Sequence, residues 1–81
     1  MEELLGKVRK AFKAAFDIDP ESVSIDTIPS DVPPWDSLGH VTLVSELENA
    51  FGLSFDVDDA MEMENVHRIV VIVQSKLERT Q

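Results

Sequence analysis

The junction between a proline-rich segment and an amphipathic helix decides the fold of this chain. Residues 33–40 read Pro33-Pro34-Trp35-Asp36-Ser37-Leu38-Gly39-His40. Asp and Ser are residue types that cap the first turn of a helix. The unpaired N–H groups and the dipole at a helix start also favour a negative group such as phosphate. The stretch therefore predicts a helix that begins near Ser37, where capping by Asp36 or Ser37 and modification of Ser37 are compatible roles.

Downstream of this junction, apolar residues recur at helical spacing. One row consists of Leu38, Val41, Val44, Leu47 and Phe51, and Leu43 widens it. This period is typical of an amphipathic helix. Because Gly favours the left-handed conformation that ends many helices, Gly52 is the predicted stop.

Two further segments have the same periodicity. The stripe of the first segment is Leu4, Leu5, Val8, Phe12, Ala15 and Phe16, and that of the last is Val66, Ile69, Val70, Val73 and Leu77. The β-branched run from Ile69 to Val73 fits a buried strand equally well by periodicity. We favour a helix from about Val66 to Leu77 because the chain has no second strand candidate of similar strength to pair with it.

The connections between these segments differ in character. Residues 17–36 hold all four prolines, and so long a loop in a small domain is normally functional or packed down. We expect it to lie across the bundle and to bury its apolar residues, which are Val23, Ile25, Ile28, Val32 and Trp35. Residues 52–65 have room for one or two helical turns around Val57 to Met61. The predicted fold class is all-α: a small four-helix bundle with three main helices, one short helix and a long first loop.

Length and composition disfavour an autonomous enzyme. The chain has 81 residues and no cysteine, so helix packing or a partner, rather than disulfides, must stabilise it. A domain of this size leaves little room for a catalytic cleft of several hundred cubic ångströms. The N-terminus lacks a signal-peptide stretch, and no run reaches the roughly 20 apolar residues of a membrane span. We expect one domain over residues 1–81, cytoplasmic and monomeric, without a catalytic residue of its own.

Negative charge is concentrated in the middle of the chain. The formal net charge is -9, and residues 17–65 hold thirteen Asp and Glu without a Lys or Arg. Phosphate-backbone binding needs clustered basic side chains, which disfavours nucleic acid and anionic membrane surfaces as partners. A basic protein surface is the complementary partner, and long-range attraction would speed its association. The charge alone also fits a second interpretation, in which the acids only keep a small protein soluble.

A longer pattern surrounds Ser37. It reads Trp35-Asp36-Ser37-Leu38-Gly39-His40-Val41, followed by Leu43, Val44, Leu47-Glu48 and Phe51-Gly52. This pattern, with the order of the helices and the chain length, resembles the acyl carrier proteins. In that family, 4'-phosphopantetheine from coenzyme A is esterified to the serine of an Asp-Ser-Leu motif. The resemblance implies that Ser37, flanked by Asp36 and Leu38, is the attachment point for an arm that carries acyl groups as thioesters. A protein without cysteine must import the thiol on such an arm.

The resemblance also implies surfaces for partners and cargo. The partners would be a phosphopantetheinyl transferase and enzymes of fatty acid, polyketide or related specialised biosynthesis, with basic patches that dock on acidic side chains. The implied partner-binding residues are Val44, Glu46, Glu48, Asp58 and Asp59. The interior between the serine helix and the last helix would shelter an acyl chain, lined by Leu43, Leu47, Phe55, Met63, Ile69 and Ile72. Residue type alone also fits gap filling in the core by the methionines.

Some positions depart from the family pattern. Fatty-acid-type carriers have a densely acidic exposed face on the serine helix, where this chain has Gly39, Thr42 and Asn49. Peptidyl carriers have Gly-Gly before the serine, which Trp35-Asp36 does not match. We therefore expect a free-standing carrier of a more specialised pathway, such as one that builds polyketides, lipids or cell-surface groups.

Other constellations have less support. Ser37 and His40 share a helix face, but no enclosed pocket or clear oxyanion hole accompanies them, which disfavours a hydrolase. Residues 56–58 open like a calcium loop, yet Met61 and His67 stand where an EF-hand has Gly and Glu. His67 has no second His or Cys at metal spacing, so we expect a surface residue and no metal site. The alternative from another class is an unmodified acidic helical interaction module, in which Ser37 only caps a helix.

Overall fold

Helices dominate the computed structural model, which describes residues 2–79 and the side chains of residues 3–79. In this range the α-helices are α1 (Glu2–Phe16), α2 (Ser37–Phe51), α3 (Val57–Glu62) and α4 (Val66–Arg79), and two short 3-10 turns, Pro20–Ser22 and Pro29–Asp31, lie between α1 and α2. The described residues form no strand. This confirms the predicted all-α class with three main helices, one short helix and a long first loop. The β-branched run that fitted a strand equally well lies inside α4.

The core lies where α1, α2 and α4 meet. α1 packs most extensively on α2, and the fully buried side chains include Phe12 of α1, Leu43 of α2 and Ile69 of α4. Apolar residues at spacings of three and four place these side chains on the inner face of each helix. None of the helices among residues 2–79 is both long and apolar enough to cross a membrane.

Both ends of α2 have the caps that the sequence predicts. The Asp36 carboxylate accepts a hydrogen bond of 2.8 Å from the Gly39 N–H at the helix start. At the other end, Gly52 has a φ of 65° and its N–H donates to the Glu48 carbonyl at 2.8 Å. Only Gly adopts this left-handed conformation without a steric cost from Cβ. The helix bounds therefore follow from local chemistry at two positions.

The apolar row predicted for α2 is only partly buried. Leu43 and Leu47 are fully buried, whereas the side chains of Leu38 and Val41 are 82% and 69% exposed. The inner face of α2 is the i, i+4 row that begins at Gly39, and one residue of offset turns Leu38 away from it. The predicted apolar row therefore extends beyond the buried face of α2, because Leu38 and Val41 are exposed.

The long first loop lies across the bundle, as predicted, with one exception. Val23, Val32 and Trp35 are buried and Ile25 is half-buried, but Ile28 is 44% exposed. Thr27 is buried instead, and its carbonyl oxygen accepts a hydrogen bond of 3.1 Å from the Val66 N–H. Because Ile28 is extended, its side chain points to the opposite side from that of Thr27. The prediction that Ile28 is buried is therefore wrong.

Candidate functional site

Ser37 is the first residue of α2 and is exposed. Its neighbour Asp36 accepts hydrogen bonds from two backbone N–H groups of the first turn. The Asp36 carboxylate accepts from the Gly39 N–H, and the Asp36 carbonyl oxygen accepts from the His40 N–H at 2.8 Å. Within residues 2–79, no group hydrogen-bonds the Ser37 hydroxyl or the backbone N–H groups of Ser37 and Leu38. An accessible hydroxyl thus lies beside two unpaired donors at the positive end of a helix dipole, an arrangement that fits a phosphodiester on Ser37.

Gly39 lets the loop approach the start of α2. A Cβ at this position would overlap the Pro34 carbonyl oxygen and would lie 2.9 Å from Cε1 of Phe16. The segment before Ser37 and the end of α1 are therefore pressed against the first turn of α2. Sequence reasoning included Gly39 in the motif around Ser37 and noted it as a position without an acidic residue, but it did not predict this close approach.

A hydrogen-bond chain from Trp35 through His40 to Ala60 connects the end of the loop, the start of α2 and α3. Nε1 of Trp35 donates to Nδ1 of His40 at 2.9 Å, and Nε2 of His40 lies 2.7 Å from the Ala60 carbonyl oxygen. A carbonyl oxygen can only accept and the indole N–H can only donate, so His40 is the neutral Nε2–H tautomer. Its Nδ1 is thus occupied and cannot act as a base for Ser37.

The indole of Trp35 is held by aromatic contacts as well. It packs edge-on against Phe12, with ring centroids 5.0 Å apart, and lies beside the His40 ring, with centroids 6.2 Å apart and ring planes within 13° of each other. Sequence reasoning missed the role of His40. No spacing rule relates residue 40 to residue 60, because their contact depends on how α3 folds back on α2.

Two of the four acids predicted to bind partners already have partners inside the protein. Oε2 of Glu48 accepts a hydrogen bond of 2.8 Å from the Phe55 N–H. Oδ2 of Asp59 lies 2.9 Å from Nζ of Lys76, at a half-buried position between α3 and α4. The hydrogen bond from Lys76 lowers the pKa of Asp59 below the ordinary value of 3.8, against the opposing effect of burial. Both acids therefore contribute to the fold around α3.

The other two predicted acids lie apart from each other. Glu46 is half-buried and lines a groove between α1 and α2 beside Lys10. Asp58 is exposed in the first turn of α3. Across residues 2–79, no three His, Cys, Asp or Glu side chains converge as metal ligands. Of the predicted acids, Asp58 is thus the most available to a partner.

Two open grooves meet at His40. We call the first the loop-side groove; it has a volume of about 570 Å³ and is lined by Pro29, Trp35, Asp36, Ser37, His40, Met63 and Glu64. We call the second the α2–α3 groove; it has a volume of about 270 Å³ and is lined by His40, Val41, Val44, Ser45, Glu48, Phe55 and Ala60. Val44, predicted to bind partners, thus lies in the α2–α3 groove, and Ser37 lies in the loop-side groove.

The residues predicted to line an acyl chain are part of the core. Leu43, Leu47, Met63 and Ile69 are fully buried, and Phe55 and Ile72 are half-buried and pack against them. Met63 also lines the loop-side groove, and Phe55 also lines the α2–α3 groove. The structure therefore brings the six residues together by core packing, with one of them at each groove.

Exposed apolar side chains lie on α2 and α3 near these grooves. They are Leu38, Val41, Val57 and Met61. Val57 and Met61 are one turn apart on α3, and Val41 shares the α2–α3 groove with Ala60. Sequence reasoning missed this surface because an amphipathic pattern does not show which of its apolar residues are buried and which remain exposed. Exposed apolar side chains that are grouped rather than scattered are typical of an interaction surface.

Comparison with known proteins bears directly on this site. Residues 6–71 match the PP-binding family, described as phosphopantetheine attachment site. Among curated proteins, an acyl carrier protein of Lactobacillus johnsonii is 30% identical over 74 residues, which cover 91% of this chain and 92% of the relative. The family match includes the junction at Ser37 and the whole of α2.

Proposed function

The chain belongs to the phosphopantetheine attachment site family, and we propose that it is an acyl carrier protein whose arm is bound to Ser37. Family membership gives the cofactor, a covalently bound 4'-phosphopantetheine. The arm supplies the thiol that holds an acyl group as a thioester, which a chain without cysteine cannot supply. The observation that carries the choice of Ser37 is its exposed, unengaged hydroxyl beside two unpaired N–H groups.

The residues around Ser37 have distinct roles in this proposal. Asp36 fixes the first turn of α2, so that the Ser37 hydroxyl faces solvent. The N–H groups of Ser37 and Leu38 stabilise the negative charge of the phosphodiester. The exposed Leu38 side chain gives an apolar contact to an enzyme that reaches Ser37. No residue of this chain performs acyl chemistry, which belongs to the partner enzymes.

We propose that the partners are a phosphopantetheinyl transferase and biosynthetic enzymes with basic docking patches. Acyl carrier proteins interact with biosynthetic enzymes, and we propose that these enzymes belong to fatty acid, polyketide or related specialised biosynthesis. The proposed carrier is a cytoplasmic monomer with one carrier domain over residues 1–81. The proposed contacts are Val44, Glu46, Glu48, Asp58 and Asp59. Exposed Asp58 and the nearby apolar side chains of α2 and α3 support this surface most directly.

A further part of the proposal concerns the cargo. The core between α2 and α4 opens to shelter the acyl chain, with Leu43, Leu47, Phe55, Met63, Ile69 and Ile72 as its lining. Their contiguous packing supports this placement. NMR spectra of the thiol and acylated forms test it: the methyl signals of the core residues should shift on acylation, and unchanged signals would contradict it.

Mass spectrometry tests the attachment site. After incubation with coenzyme A and a phosphopantetheinyl transferase, the wild-type protein should gain one phosphopantetheine group, and Ser37→Ala should gain none. Ser45→Ala is the matched control, since Ser45 is also exposed on α2, and it should be modified like the wild type. An unmodified wild type, or an adduct on Ser37→Ala, would contradict the proposal and favour the unmodified acidic interaction module.

A further inference from the structure

Two grooves near the start of α2 could receive a group attached to Ser37. We propose that the phosphopantetheine arm lies in the loop-side groove, and that the Trp35–His40–Ala60 hydrogen-bond chain bars it from the α2–α3 groove. This inference rests on the proposed attachment to Ser37 and adds the path that the arm takes from it.

The lining of the two grooves gives the first argument. Ser37 and Asp36 line the loop-side groove, and among the described residues neither lines the α2–α3 groove. The loop-side groove, at about 570 Å³, is within the range of small-molecule sites, whereas the α2–α3 groove, at about 270 Å³, falls just below it. An arm on Ser37 therefore begins in the larger groove.

The second argument is the position of His40, which lines both grooves. Its Nε2–H donates to the Ala60 carbonyl and thereby bridges α2 and α3 at the residue that the two grooves share. Its Nδ1 is held at the same time by the Trp35 indole N–H. Moving the ring out of the way leaves both partly buried hydrogen bonds unmade, which is unfavourable. Hydrogen bonds at both ring nitrogens thus hold His40 in place between α2 and α3.

The third argument is chemical. Beyond its phosphate, a pantetheine arm is a neutral chain of methylene groups, methyl groups, a hydroxyl and two amides. Pro29 and the small exposed edges of Trp35 and Met63 offer apolar contacts to such a chain, and the Glu64 carboxylate accepts hydrogen bonds from amide N–H groups. The negative charge of Glu64 repels the phosphate, which keeps it at the N–H groups of Ser37 and Leu38. The groove thus fits the neutral part of the arm.

NMR on the loaded protein tests this placement. Isotope-labelled protein carrying an unlabelled arm, confirmed by mass spectrometry on Ser37, should show nuclear Overhauser effects between the arm and Trp35 and Met63. Effects to Val44 and Phe55 in their place, or none from the arm to the protein, would overturn the inference while the adduct upholds the proposed function. A protein without an adduct would overturn both.

Two variants test the barrier. His40→Ala removes the bridge, and Trp35→Phe keeps a buried ring but removes the indole donor. Both should weaken the effects to Met63 and add effects to Val44 and Phe55, and His67→Ala, an exposed histidine of α4, should resemble the wild type. An arm that stays in the loop-side groove in both variants would overturn the role of His40 as a barrier. Trp35→Phe decides the outcome if His40→Ala does not fold.

Discussion

At the scale of single residues, the neighbours of Ser37 determine how far it is accessible. Asp36 caps α2 without using the Ser37 hydroxyl. Gly39 allows the Pro34 carbonyl to approach the helix and so fixes the direction from which the chain arrives at Ser37. Asp36 and Gly39 therefore determine how Ser37, the proposed attachment point, is presented.

Substituting Gly39 tests the close approach. Ala is a better helix former than Gly by about 1 kcal/mol, but its Cβ at position 39 would overlap a backbone carbonyl. We expect Gly39→Ala to lower the free energy of unfolding by about 1–3 kcal/mol. Gly6→Ala is the matched control, because Gly6 lies inside α1 with open space around it, and it should stabilise the protein by about 0.5–1 kcal/mol. Urea denaturation measures both, and equal stability of the two variants would contradict the expectation.

Substituting Asp36 separates its hydrogen bond from its charge. Asp36→Ala removes the cap and should cost about 1 kcal/mol in the free energy of unfolding, while Asp36→Asn keeps an acceptor and should cost much less. Thermal unfolding followed by circular dichroism compares the two variants. Equal losses of stability would mean that the charge of Asp36, rather than its hydrogen bond to Gly39, stabilises the start of α2.

At the scale of elements, α3 depends on its neighbours. It has six residues, too few for a stable isolated helix. Three contacts with α2 and α4 hold it: the His40–Ala60 hydrogen bond to α2, the hydrogen bond from the Phe55 N–H before its first turn to Glu48 of α2, and the Lys76–Asp59 ion pair to α4. The exposed Asp58 thus lies on a helix that contacts with its neighbours hold in place.

The Lys76–Asp59 ion pair gives a pH dependence. Lys76 lowers the pKa of Asp59 in the folded protein, so the folded state favours the ionised carboxylate and gains stability above the ordinary Asp pKa. This gain is lost as the pH falls through the lowered pKa. Asp59→Asn should therefore cost up to about 1 kcal/mol at pH 7, as expected for a half-exposed pair, and the difference from the wild type should shrink below about pH 4.

Urea unfolding across this pH range measures the effect of Asp59. Asp58→Asn is the control, because Asp58 is the exposed neighbour in the same helix turn and no ion pair within residues 2–79 involves it. A cost for Asp59→Asn that persists unchanged in acid would show that its amide disturbs packing rather than removing an ion pair.

The ends of the elements could be predicted from sequence, and the contacts between them could not. The helix start at Ser37 and the stop at Gly52 depend on hydrogen bonds within a few residues, which sequence patterns record. The exposure of Val41 and the outward turn of Ile28 depend on where the core ends. The sequence motif alone indicates Ser37 as the candidate attachment residue. The hydrogen-bond partner of His40, in contrast, lies twenty residues away on another helix, and no local sequence rule relates the two residues.

At the scale of the whole molecule, exposed negative charge and exposed apolar side chains occur together on α3. Asp58 and Glu62 are exposed on α3, the helix that also exposes Val57 and Met61. Charge steers an encounter over a distance of about one Debye length, and apolar contact stabilises the complex once it has formed. This combination favours a transient partner that approaches along α2 and α3 to reach Ser37.

Reversing one charge on this surface tests the docking proposal. Asp58→Lys should lower kcat/KM for loading by a phosphopantetheinyl transferase roughly two- to fivefold at low salt, with a smaller effect at high salt. Glu3→Lys changes the net charge equally, but Glu3 lies beside Phe51 and Leu77, at the far end of α2 from Ser37. It should have little effect. Equal effects of both variants would mean that net charge alone steers the partner.

Trp35 provides an intrinsic fluorescent probe close to Ser37. It is the only Trp of a chain that has no Tyr. Intrinsic fluorescence that is excited at wavelengths longer than those that Phe absorbs therefore comes from this one indole. Its ring is buried, is hydrogen-bonded to His40 and borders the loop-side groove. Its emission therefore reports on the surroundings of Ser37 without any attached dye. In a stopped-flow instrument, this emission could follow the proposed loading of Ser37 in the unlabelled protein.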